Sequence, residues 1–235
     1  MTEADWDCCT DPTAMLEFLR GKVSDRKLRL YAVACSRRYL PLVRDHRVGE
    51  TLEVAERFAD GLTGDGERSA ARQAAQQAAQ VRGVAARPGI PKWERRAASL
   101  AYYATARRAS EAVWNVPGLA VEVLVWRAGG YNACDWQAIK AEEGVIHAHL
   151  LRDIIGRLPF RPVALDSAWL SWHDRLIVSM AQRIYDSRDF KDMPVLADAL
   201  EEAGCTNPDV LSHCRQQGAV HVRGCWVIDG LLGKE

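Results

Sequence analysis

Cys205, His213, Cys214, His221 and Cys225 crowd the end of this 235-residue chain. Thiolates and imidazoles are the donors zinc prefers, so four ligands drawn from this group would suit a tetrahedral site. A short segment with few apolar anchors would also gain folding free energy from the ion. His213 and Cys214 are adjacent, and on a helix their side chains point about 100° apart, so only one of them can face a metal. The spacing predicts Cys205, Cys214, His221 and Cys225 as the set. No Cys-x-x-Cys knuckle supports it, and the gaps match no standard zinc module. The plainer alternative is a core of buried thiols and hydrogen-bonded imidazoles.

Other residues offer less. His147 and His149 stand two apart, so on a helix they diverge and read as a solvated or partner-facing pair. His173-Asp174 could orient an imidazole, but sequence neighbours rarely meet in the geometry a general base needs. Cys8-Cys9 reads as one packed thiol and one surface thiol. The chain has no phosphate loop, no G-x-S-x-G, no H-E-x-x-H and no telling carboxylate pair. Seven cysteines, an odd count, point to free thiols or metal ligands and not to disulfides.

Zero formal net charge conceals a pattern. Residues 1–67 hold 10 basic against 13 acidic side chains, residues 68–108 hold 9 against 1, and residues 109–235 hold 12 against 17. The basic centre, with Arg82, Arg87, Lys92, Arg95 and Arg96, is a candidate nucleic-acid face on electrostatics alone. The plainer alternative is mutual neutralisation on packing. Trp93, Trp114, Trp126 and Trp136 lie in the same region, as stacking platforms or, more simply, as core anchors.

The elements that would position these residues are helices. Asp11 and Pro12 start one, with Met15, Leu16 and Leu19 as its buried stripe and Gly21 as its stop. Leu28, Tyr31, Ala32, Cys35 and Tyr39 mark a second, and Leu52, Ala55 and Ala59 a third. An alanine-rich helix is expected over 67–87, then an amphipathic run from Lys92 to Asn115 and a segment opened by Pro117. A helix over 134–155 should bury Trp136, Ile139, Val145, Ile146, Leu150 and Ile154. Helices over 176–185 and 194–203, another after Asn207-Pro208, and a last element over 221–229, a helix in preference to a strand, complete the pattern. No stretch alternates with period two, so the fold class is all-α, a compact multi-helix bundle with room for two helical subdomains. The Pro-containing stretch 158–163 divides an N-terminal region, 1–157, from a C-terminal one, 158–235.

Both ends resemble a large, uncharacterised planctomycete paralogous family. The N-terminal motif is Asp11-Pro12-x-x-Met15-Leu16-Glu17-Phe18-Leu19-Arg20-Gly21-Lys22. The C-terminal one is His221-Val222-Arg223-Gly224-Cys225-Trp226-Val227-Ile228-Asp229, with Pro159-Phe160-Arg161-Pro162-Val163 and Met193 to Cys205 between them. The resemblance covers roughly residues 1–62 and 150–235. It implies an association with repeat or regulatory proteins, and no activity.

The first reading is therefore a non-catalytic helical interaction or regulatory module with a protein partner and no cofactor. Zinc binding by the C-terminal cluster and nucleic-acid binding by the centre are the alternatives. The acidic start has no signal-peptide pattern and no window is apolar enough to span a bilayer, so a cytoplasmic location is expected.

Overall fold

Side chains that interrupt or cap a helix set most of the element boundaries. In a computed structural model, residues 1–79, 89–157, 159–161, 166–216 and 218–234 are described. They form α1 (Glu3–Cys8), α2 (Pro12–Leu19), α3 (Asp25–Arg37), α4 (Arg47–Ala59), α5 (Asp65–Ala79), α6 (Lys92–Ala104), α7 (Ala109–Arg127), α8 (Trp136–Ile155), α9 (Ser167–Ser187), α10 (Met193–Glu202), α11 (Pro208–Arg215) and α12 (Trp226–Leu231). The fold is all-α, with no strand among the described residues. No helix among them is long and apolar enough to cross a membrane. Two compact units divide at Leu151/Arg152, within α8.

In the first unit, Asp11 caps α2 through Thr13 N–H, and Met15, Leu16 and Leu19 are buried as expected. A shorter helix, α1, precedes it. Thr2 and Asp5 cap it reciprocally and Trp6 is its buried anchor. α3 is buried nearly all round from Arg29 to Ser36, and α4, α6 and α7 pack against it.

The run expected from Lys92 to Asn115 is broken instead at 105–108, and Pro117 lies inside α7. The cause of the break is visible in side chains from elsewhere. Buried Arg29 donates to the carbonyls of Ala104, Ala106 and Arg107 at 2.9, 2.6 and 3.2 Å. Arg68 donates to Thr105 O at 2.5 Å. Two guanidiniums thus satisfy the carbonyls that end α6, where helix polarity favours cations. Burial, then neighbouring Arg68, lowers the Arg29 pKa to about 10.

α5 buries only Arg68, Ala75, Ala78 and Ala79. It is held by Arg68, by Arg72 donating to Tyr102 O at 2.8 Å, and by Thr51 Oγ1 donating to Ala71 O at 3.2 Å. Residues 80–87 of the expected alanine-rich helix lie outside the described residues.

α8 turns a different face inward from the expected one. Leu150 and Ile154 are buried, but Trp136 and Val145 are exposed, and Glu143, His147 and Leu151 take the buried stripe. Gly144 is needed there, because a Cβ would come within 2.7 Å of Thr10 O.

In the second unit, residues 172–175 of α9 leave helical geometry, with His173, Asp174 and Arg175 at positive φ. The segment after them matches the expected helix over 176–185. Asp166 and Asn207 cap α9 and α11. α10 packs against both α9 and α11, and its Leu196, Ala197 and Leu200 share a core with Ile177, Ile184, Val227 and Ile228. Burying each such aliphatic side chain stabilises by roughly 1.5–3 kcal/mol. The terminal helix expected over 221–229 begins later, at Trp226, after a non-helical turn. Of the connector 158–163, Leu158, Pro162 and Val163 lie outside the described residues.

Candidate metal centre

Four segments of the second unit deliver one donor each to a common point. Asp153 comes from α8, His213 from α11, His221 from the stretch after it, and Cys225 from the residue before α12. One atom from each lies within 4.8 Å of every other. His221 Nδ1 is 2.7 Å from Asp153 Oδ1, and His213 Nε2 is 3.3 Å from that oxygen and 3.1 Å from Cys225 Sγ. Asp153 Oδ2 accepts from Val222 N–H at 2.9 Å, which fixes the carboxylate's orientation. The imidazole rings stand edge to face at 4.8 Å, and the Trp226 ring is 5.2 Å from His213.

The site is largely dry. Cys225 is fully buried, Asp153 is 4% exposed, and the two histidines are intermediate. Burial alone would raise the Asp153 pKa, but the His213 and His221 contacts outweigh it and hold it below the usual carboxylate range. Burial, reinforced by the Asp153 charge, pushes the Cys225 thiol well up, and the backbone amides of Ile228 and Val227 only partly oppose that. A bound cation would reverse this by favouring the thiolate.

Donors around tetrahedral zinc sit about 3.3–3.7 Å apart, given metal–ligand bonds of about 2.0–2.3 Å. The observed pairs need shifts of about 1 Å or less to reach that arrangement. A carboxylate, two imidazoles and a thiol could therefore hold a metal ion here.

The set overlaps the one read from sequence in His221 and Cys225. His213 faces the centre and its neighbour Cys214 does not belong to the group, so the two do diverge. Cys205 and Cys214 lie in the apolar core, where burial raises both thiols, Cys214 to about 12. Asp153 was missed because it lies some sixty residues upstream, within a helix. Its only sequence signal is an Arg152-Asp153 charged pair set between Leu150-Leu151 and Ile154-Ile155.

The first unit holds a second buried cluster of related residue types. His147 is buried, correcting its reading as solvated, while His149 is exposed. His147 Nδ1 meets Tyr31 Oη at 3.0 Å and Cys35 Sγ at 3.8 Å, and its Nε2 is 3.5 Å from Glu143 Oε2. Arg38 grips both Glu143 oxygens at 2.5 and 2.8 Å, and Tyr39 Oη donates to Oε2 at 2.6 Å. Burial would raise Glu143, but Arg38, His147 and Tyr39 together hold it well below its ordinary range.

Part of the basic segment is engaged within the unit, while Lys92, Arg107 and Arg108 are exposed. Beyond Arg68 and Arg72, Arg96 pairs with Glu122 at 2.6 Å, Lys92 Nζ sits 3.3 Å over the Trp126 ring, and Arg95 is half-buried. Arg82 and Arg87 lie outside the described residues. Trp114 and Trp136 are more than a third exposed and so are not core anchors. Cys8 is exposed and Cys9 half-buried, at the end of α1.

Comparison with family models, curated proteins and solved structures finds no match to this chain.

Proposed function

We propose that the protein is a zinc-binding helical protein whose second unit carries a structural ion held by Asp153, His213, His221 and Cys225. The observation that carries this reading is convergence onto one nitrogen. His213 turns the same atom, Nε2, toward both Asp153 and Cys225. A catalytic Cys–His–Asp arrangement needs acid and nucleophile on opposite ring nitrogens, and a nucleophile with substrate access, whereas Cys225 is 0% exposed. Four protein donors also leave no open coordination position, as in structural rather than catalytic zinc sites. Two nitrogens and a sulfur among them favour zinc over the oxygen-seeking magnesium and calcium.

Elemental analysis of protein purified without chelator tests the reading, with about one zinc per chain expected. Less than about a tenth would reject it. Cobalt substitution should give visible tetrahedral bands and a thiolate charge-transfer band that disappears in Cys225→Ser. The family membership proposed from the terminal motifs then gains a chemical meaning, since the ending that begins at His221 supplies two of the four ligands.

An interaction role in the first unit draws separate support from an exposed aromatic cluster. Tyr131 is 6.1 Å from Trp126 and 6.0 Å from Trp136, with Tyr131 and Trp136 about 40% exposed. Aromatic residues presented this way are enriched in protein interfaces. Crosslinks from Lys92 to a co-purifying protein should vanish in Tyr131→Ser/Trp136→Ser, and their persistence would remove this second reading.

A further inference from the structure

Resting on the zinc reading, we propose that occupancy of the Asp153/His213/His221/Cys225 cluster decides whether α12 is docked, the ion acting as a clasp on the C-terminal segment.

α12 has only six residues, far fewer than the roughly 12–15 an isolated helix needs. It is therefore helical only while docked. Its Val227, Ile228 and Leu231 are buried in the core of the second unit, and Trp226 is 7% exposed. The Trp226 ring lies so close to Gly156 that an added Cβ would fall 2.6 Å from it, and Gly156 has φ +58°. This indole therefore sits against the backbone three residues after Asp153.

Two ligands bracket the turn that leads into α12. Between His221 and Cys225 the chain closes with Cys225 N–H donating to Val222 O at 2.9 Å, while Val222 N–H reaches Asp153 Oδ2 at 2.9 Å. An ion bound by His221 and Cys225 would fix both ends of that turn to α8 and α11 at once. α10 contributes no ligand, and although its Leu196, Ala197 and Leu200 share a core with Val227 and Ile228, its main helix contacts are with α9 and α11. The clasp should accordingly govern the terminal segment and leave α10 in place.

Hydrogen exchange on the full chain tests this, comparing zinc-loaded protein, chelator-stripped protein, and stripped protein re-supplied with zinc. Amides of 222–232 should exchange about tenfold or more faster after stripping and recover on re-addition, while α10 amides hold their protection. Zinc or cobalt bound at one per chain with unchanged protection at 222–232 would overturn the clasp and leave the zinc reading standing. Equal loss of protection in α10 and α12 would also overturn it, in favour of an ion on which the whole unit depends. Failure to bind either metal would overturn both readings.

Discussion

The two buried clusters use nearly the same residue types and reach opposite ends. Each contains a carboxylate, a thiol and imidazole. In the first unit, Glu143 is gripped by the Arg38 guanidinium, and His147 meets its partners through two different nitrogens. In the second, the Asp153 carboxylate oxygen faces two imidazoles, and the donors share one point. A built-in cation closes the first cluster as a structural network. The second gathers a carboxylate, two imidazoles and a thiol that could hold a metal ion. Residue types alone do not distinguish the two clusters; the common focus of the second does.

Removing the internal cation is the strongest way to break the contrast. Arg38→Met should destabilise the first unit by about 3–5 kcal/mol by stranding a buried carboxylate, read as a lower urea midpoint.

pH should act next. Burial disfavours charged His147, but Cys35 and Glu143 overcome it and raise its pKa to about 9. The stability this adds is fully present below the unfolded value near 6.5 and is lost as pH rises through about 9. The urea midpoint should fall between those values by an amount worth up to about 3 kcal/mol, and His147→Gln should flatten the profile.

Gly156→Ala should cost about 1–3 kcal/mol through its positive φ and the Trp226 ring, seen as faster exchange in α12. The smallest effect sharpens the contrast most. Asp153→Asn should weaken zinc binding by about tenfold or more, while Glu143→Gln leaves zinc content unchanged. Equal losses from both would erase the distinction between the clusters.

Much of the fold was legible because its signals are local. Asp11-Pro12 and Asn207-Pro208 state their helix starts, and the periodicity of Met15, Leu16 and Leu19 states its face. The break at 105–108 was not legible, since side chains from α3 and α5 create it. Neither was the inward face of α8, where a polar stripe of Glu143 and His147 is buried with Arg38, Tyr39 and Tyr31 as partners. The candidate site was half legible. His221 and Cys225 lie in one motif, but the choice of His213 over Cys214 and the arrival of Asp153 depend on tertiary packing.

The alanine face of α5 has a thermodynamic consequence of its own. Arginine hydrogen bonds to carbonyls and close-packed alanines together fasten this helix. Exposing apolar surface raises heat capacity and exposing polar surface lowers it. Detachment of α5 bares its alanines and the faces of α4 and α6 beneath them, while the freed arginines and carbonyls partly offset the rise in heat capacity. Its opening free energy should curve less with temperature than the whole protein's stability does.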